Sequence, residues 1–197
     1  MANESNKELT SVWTPANIVT CVRIVFIPVF MIVSALSHTS VAGTDWSTFD
    51  GPLAAAAFIL YVILSCTDKV DGYLARSRNE ITDFGKFMDP LADKCLVMAA
   101  LCWFVETGDM VGWVLAAVLL REFAVSGMRL IAVEKGRVIA AGWSGKVKTA
   151  STMVCICLIL FGIPHWLNLA CQGVILVTTV YSGVEYFVKN WDVFSEK

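Results

Sequence analysis

Residues Asp68 to Lys94 read DKVDGYLARSRNEITDFGKFMDPLADK, and on both sides the chain runs directly into apolar sequence: PLAAAAFILYVILSCT (52–67) before it and CLVMAALCWFV (95–105) after it. Charges that continue out of one apolar run and into the next must sit where two hydrophobic helices leave a membrane, because ionisable groups at membrane depth are costly and mark function. Asp68 and Asp71 are three residues apart, and Asp89 and Asp93 four apart, so on helices each pair shares one face. Four carboxylates brought together need a cation to stay ionised, and oxygen-only ligands suit Mg²⁺ or Mn²⁺ rather than zinc. The competing reading is a set of solvated charges at helix ends. Gly72 and Ala75 lie beside the first pair, where absent side-chain bulk lets a ligand or a neighbouring helix approach the backbone.

Working outward, six apolar stretches are separable, at about 17–37, 52–71, 87–107, 110–134, 147–163 and 166–188. Most approach the roughly 20 residues a helix needs to cross a bilayer. The expectation is an all-α integral membrane protein with six transmembrane helices and an N-terminal interfacial arm: arm 1–14, membrane domain 15–190, C-terminal tail 191–197. Composition agrees, with 57% hydrophobic and 16% charged residues and a mean hydropathy of +0.67. Met1 to Pro15 is largely polar and shows no cleavable leader, so the first span is expected to stay. Trp13, Trp46, Trp143, Trp166, Tyr186 and Trp191 fall near span ends, where amphipathic rings suit the interface.

Connections 38–51, 106–110 and 162–168 contain no Lys or Arg, whereas the 15 basic residues gather near the other span ends. The positive-inside rule therefore puts both termini, and the Asp68–Lys94 region, on the cytoplasmic side. A net charge of −2 argues against nucleic acid as a partner. Seven cysteines, odd in number and scattered through apolar sequence, read as small buried hydrophobes.

A second charged group follows: Arg121, Glu122, Arg129, Lys135, Arg137, Lys146 and Lys148. Lys135 and Arg137 read as topology anchors. Arg129, inside an apolar run, and Lys146 and Lys148, opening the next, fit a phosphate pocket better.

Taken together, Asp68, Asp71, Gly72, Ala75, Arg76, Gly85, Asp89 and Asp93 spell D-x2-D-G-x2-A-R-x8-G-x3-D-x3-D. This pattern resembles the signature of the CDP-alcohol phosphotransferase family. The resemblance implies a six-helix homodimer in the cytoplasmic (inner) membrane with its active site facing the cytoplasm. It also implies roles: Asp68, Asp71 and Asp89 as metal ligands, Asp93 as ligand or catalytic base, and Gly72, Ala75, Arg76 and Gly85 at the cytidine diphosphate. REFAVSGMR (121–129), GKVKT (145–149) and N-x2-T-x2-R at Asn17, Thr20 and Arg23 are similar to the branch of that family that uses sn-glycerol 3-phosphate. That similarity implies CDP-diacylglycerol and glycerol 3-phosphate as substrates, with Arg23, Arg121, Arg129, Lys146 and Lys148 receiving the acceptor's phosphate. Inositol phosphate is the nearest alternative acceptor. A membrane prenyltransferase also uses Asp-rich motifs, but with two D-x3-D-type spacings where this chain has one. A small transporter would spread its acids across the bilayer instead of bunching them.

Overall fold

A computed structural model describes residues 14–39, 51–77, 83–137, 139–140 and 142–194, with the side chains of 15, 16, 38, 39, 68–77, 83 and 86 outside the described set. Six α-helices follow one another: α1 Pro15–Thr39, α2 Pro52–Ser77, α3 Asp83–Thr107, α4 Gly112–Glu134, α5 Trp143–Leu160 and α6 His165–Lys189. A single 3-10 turn, Trp191–Phe194, closes the described chain, and no strand occurs among the described residues. Each helix coincides with one of the six apolar stretches. The charged sequence does not interrupt them: α2 continues through Asp68 and Asp71 to Ser77, and α3 already begins at Asp83. The expected N-terminal arm, apart from Thr14, and the last three residues of the tail lie outside the described residues.

Three helices are long and apolar enough to cross a membrane, over Asn17–Ser37, Trp143–Leu160 and His165–Lys189, and Pro52–Thr67 is a shorter apolar helix. The surface shows what solvent surrounds them. Leu120, Phe123, Val177 and Val188 are each more than 65% exposed, while Arg23, Lys148, Thr152 and Thr179 are buried. Apolar surface on this scale is not left facing water; with backbone polar groups satisfied inside helices, it fits lipid. The protein is a membrane protein.

The core draws on every helix, with Phe30, Tyr61, Leu101, Phe104, Val118, Ile156 and Ile175 fully buried in one cluster. The Phe30 and Tyr61 rings meet at 5.7 Å, joining α1 to α2. Helix α1 packs on α2 and α3, α5 on α6, and α6 on α4. A smaller cluster of Val125, Met128, Ala132, Tyr186 and Val193 ties the last turns of α4 and α6 to the 3-10 turn. Tyr186, expected at the interface, is thus a buried packing residue, whereas Trp143, Trp166 and Trp191 are well exposed as expected. The cysteines divide similarly: Cys155 and Cys171 are buried, but Cys66, Cys95 and Cys102 lie on the exposed face. Lipid accepts a thiol as readily as the core does, so apolar surroundings in sequence do not distinguish the two positions.

Two ends of the bundle differ in chemistry. At one end α3 turns into α4 through Gly108, whose φ of +83° is the left-handed conformation that glycine adopts freely. The turn is bolted down by α6. Asn168 Nδ2 and Gln172 Nε2 both donate to the Asp109 carbonyl, at 2.8 and 3.0 Å, and Gln172 Oε1 accepts from the Val111 amide at 3.0 Å. Replacing Gln172 by leucine would orphan a backbone donor in a largely buried setting, which costs about 1–3 kcal/mol. Gln172→Leu is therefore expected to lower the midpoint of thermal unfolding of the purified protein by several degrees while leaving substrate KM values unchanged. The other end, where α1, α3 and α5 begin and α2, α4 and α6 finish, carries the charges. There α4 stops in a Schellman arrangement, with Gly136 at φ +70° and the amides of Gly136 and Arg137 donating to the carbonyls of Val133 and Ala132.

Candidate functional site

The second half of the Asp-rich motif lies on the first three turns of α3, and α1 reaches it directly. Thr20 Oγ1 donates to Asp89 Oδ1 at 2.8 Å, and Arg23 Nη1 donates to Asp93 Oδ1 at 3.0 Å. The two donors are three residues apart on α1 and the two acceptors four apart on α3, so two matched helical faces meet. Asn17 completes that face of α1, buried one turn before Thr20, and its amide is capped by the Thr14 hydroxyl at 3.3 Å. Arg23 is only 1% exposed while the Asp93 side chain remains 44% exposed, so the carboxylate is gripped from the protein side and open on the other. Gly85, one turn before Asp89, is buried. Pro90 removes one amide from the α3 ladder immediately after Asp89, so one main-chain carbonyl of the preceding turn loses its usual partner beside the motif.

The first half of the motif occupies the last three turns of α2: Asp68, Asp71, Gly72, Ala75 and Arg76 all fall within the continuous helix Pro52–Ser77. Their side chains lie outside the described residues. Among the described residues no group of three or more potential metal ligands converges.

The residues expected at the acceptor's phosphate separate into three places. Arg23 is on Asp93. Arg121 and Lys148 meet at Glu122: Oε1 of that carboxylate accepts from Arg121 Nη1 at 2.8 Å and from Lys148 Nζ at 2.9 Å. Lys94, the residue after Asp93, joins the same carboxylate with Nζ 3.6 Å from Oε2, and donates to Ser126 Oγ at 2.6 Å. Sequence spacing could not have found Lys94, because nothing in it says which helix faces α4. Arg129 stands apart, two turns beyond Glu122 on α4. Its Nε donates to the Tyr186 hydroxyl at 3.2 Å, with the guanidinium carbon 5.6 Å from the ring centroid. Lys146 is exposed, with Nζ 5.3 Å from the centre of the Trp143 ring.

A cleft of about 280 Å³ opens beside this group at the same end of the bundle, with Arg137, Ser144, Tyr186 and Lys189 among its lining. Arg137 pairs with Asp192, and that contact holds the exposed Asp192 carboxyl below the usual carboxylate range. This pair ties the segment after α4 to the closing 3-10 turn.

A carboxylate pair fixed by hydrogen bonds from a neighbouring helix, followed in sequence by a cation that opens a second, net-positive cluster, suits a reaction between two phosphate-bearing substrates. Comparison with known proteins points the same way. The chain is 42% identical to the CDP-diacylglycerol--glycerol-3-phosphate 3-phosphatidyltransferase of Bacillus subtilis (strain 168), over 89% of this chain and 94% of that protein. It is 36% identical to the probable phosphatidylglycerophosphate synthase of Mycobacterium tuberculosis (strain ATCC 25618 / H37Rv), over 88% of this chain and 80% of the relative. It is 34% identical to the Escherichia coli (strain K12) CDP-diacylglycerol--glycerol-3-phosphate 3-phosphatidyltransferase, over 86% and 90%. The family model described as CDP-alcohol phosphatidyltransferase matches residues 13–184, from the residue before the Thr14 cap to within two residues of Tyr186, covering α1 to α5 and most of α6: the chain belongs to the CDP-alcohol phosphatidyltransferase family.

Proposed function

We propose that this protein transfers the phosphatidyl group of CDP-diacylglycerol to sn-glycerol 3-phosphate, giving phosphatidylglycerophosphate and CMP. The observation that carries the reading is the succession Asp93–Lys94 on α3, in which one residue belongs to the aspartate pair held by α1 and the next to the cationic cluster around Glu122. Donor diphosphate and acceptor phosphate can then lie side by side. The names of the relatives supply the acceptor's identity.

The all-oxygen donor set suits a hard divalent cation, and Asp89 and Asp93 are already oriented for one by Thr20 and Arg23. Asp68, Asp71, Asp89 and Asp93 would hold Mg²⁺ or Mn²⁺. When bound, such an ion neutralises charge on the diphosphate and on the departing CMP. The protein's own groups do the rest. Asp93, half open to solvent and anchored on one oxygen, accepts the proton of the acceptor hydroxyl as that oxygen bonds to the diacylglycerol-bearing phosphorus. The bond from that phosphorus to the CMP oxygen breaks, and CMP leaves. Gly72, Ala75, Arg76 and Gly85 would receive the cytidine diphosphate; Arg121, Arg129, Lys146 and Lys148 would receive the acceptor's phosphate. Arg23, by its contact, serves Asp93.

All six helices would span the cytoplasmic membrane, in a homodimer, with the charged end and both termini in the cytoplasm. The complete absence of Lys and Arg from 38–51, 106–110 and 162–168 supports that orientation. Purified protein supplied with radiolabelled CDP-diacylglycerol and a panel of sn-glycerol 3-phosphate, inositol phosphate, serine and glycerol is expected to release CMP with the first alone. Release driven by inositol phosphate, or by an uncharged alcohol, would replace this acceptor.

Arg129 offers a sharper test. Loss of a charge-assisted contact to phosphate should raise the KM for glycerol 3-phosphate about tenfold in Arg129→Ala, with partial rescue by lysine, which lacks the planar fork. The KM for CDP-diacylglycerol should stay within about twofold, being a contact not lost. Equal weakening for both substrates would instead assign Arg129 to packing of α4 on α6 through Tyr186.

A further inference from the structure

Glu122 is the one anion among the described contacts of three cations, and none of the roles above uses it. Its carboxylate lies 2.8 Å from Arg121 Nη1, 2.9 Å from Lys148 Nζ and 3.6 Å from Lys94 Nζ. These groups come from three helices, α3, α4 and α5. Lys148 is 4% exposed. Burying an ammonium that far from water is costly unless it is paired and hydrogen-bonded, so the Glu122 contact is what holds Lys148 in place.

Arg121 is held in a slot as well as by charge. A Cβ at Gly145 on α5 would stand 3.4 Å from Arg121 Nη2, and one at Gly183 on α6 would stand 3.2 Å from Arg121 Cγ. Two glycines on two helices thus leave the width of a guanidinium stem. Within that slot Nη1 is bonded to Glu122, while Nε is buried and has no hydrogen-bond partner among the described residues. The Glu122 contact is thus the described hydrogen bond that fixes this guanidinium.

Charge sets the class of the acceptor. Three cations and one carboxylate leave the cluster around Glu122 at +2, and Arg129 and Lys146, proposed above for the same phosphate, add to that positive charge, which favours a phosphate monoester dianion. A neutral polyol or a zwitterionic amino alcohol would leave that charge unmatched. Without Glu122 the site would carry +3 on side chains that repel one another and, for Lys148, cannot reach water.

We infer that Glu122 is a positioning and specificity-determining residue, which gathers Lys94, Arg121 and Lys148 into one site for a phosphate monoester acceptor and offsets part of their mutual repulsion. The inference rests on the acceptor assignment proposed above. It adds a carboxylate whose role is to shape an anion site without touching the anion, so its removal should weaken, not strengthen, phosphate binding.

The test compares Glu122→Gln and Glu122→Asp with the full-length parent in detergent or nanodiscs, measuring KM for glycerol 3-phosphate, KM for CDP-diacylglycerol, and inhibition by inorganic phosphate competing with the acceptor. In Glu122→Gln the acceptor KM and the phosphate inhibition constant should rise in parallel by about tenfold, with the donor KM within about twofold. Glu122→Asp keeps the charge but shortens the reach, and should show the same pattern at about threefold. A residue that only stabilises the fold would lower the amount of active protein and leave both KM values alone. That outcome, or equal rises for both substrates, overturns the inference. If Glu122→Gln does not fold, the aspartate variant decides by the same ratio. If the parent itself releases no CMP with glycerol 3-phosphate, the proposed reaction fails separately; calorimetric titration of the parent and Glu122→Asp with inorganic phosphate then decides, and equal affinities would sink the role of Glu122.

Discussion

Replacing any one of Asp68, Asp71, Asp89 and Asp93 by asparagine is expected to cut CMP release by about a hundredfold or more, because the amide is isosteric but cannot supply an anionic ligand or take up a proton. Asp89→Asn is the cleanest of the four. Its amide oxygen can still accept the Thr20 hydroxyl that now lies 2.8 Å from Oδ1, so the packing of α1 on α3 survives while the charge is lost. A fall in activity without a fall in thermal stability would therefore report on chemistry and not on folding. Asp68 and Asp71 have no such control, since their contacts lie outside the described residues. Titrating Mg²⁺ or Mn²⁺ against each variant, with turnover and intrinsic tryptophan fluorescence as separate readouts, should show weakened metal dependence in all four. Normal turnover in any two of them would dismantle the metal-site reading.

Helices and their faces were legible in the sequence because each is a local property. Hydrophobic runs fixed the six segments, and spacings of three and four placed each aspartate pair on one face. Partner choice between helices is not local, and there the residue patterns fell short. Arg23, three residues after Thr20, could be placed on the motif's side of α1, but nothing in N-x2-T-x2-R distinguishes an arginine that meets a ligand from one that meets Asp93. Tyr186 looked like an interfacial aromatic because it ends an apolar run, yet the 3-10 turn folds back and covers it. Lys94 passed as one more charge of the motif, since only the packing of α3 near α4 turns it toward Glu122. The aspartate motif itself was readable for the opposite reason: its charges break the apolar pattern at two helix ends, a signal that needs no tertiary contact to be seen.

Arg23→Met should separate the two roles open to that arginine. Methionine keeps the unbranched stem and much of the volume that α1 buries at this position, but removes the donor that lies 3.0 Å from Asp93 Oδ1. The pair is lopsided, with the arginine 1% exposed and the aspartate 44% exposed, so water can take over much of the lost contact on the aspartate side. The stability loss should accordingly fall well short of the 3–5 kcal/mol seen when a fully buried pair is broken, nearer the value of about 1 kcal/mol for pairs open to solvent. Catalysis is the more sensitive readout, because a carboxylate free to swing no longer sits within hydrogen-bond reach of the acceptor hydroxyl. We expect kcat to drop by about ten- to a hundredfold with both KM values nearly unchanged, and Arg23→Lys to restore part of it. In the double variant Arg23→Met, Asp93→Asn the arginine change should cost little more, since its effect runs through a carboxylate already lost. A selective rise in the KM for glycerol 3-phosphate, with kcat preserved, would instead return Arg23 to the acceptor's phosphate and leave Asp93 held by other contacts.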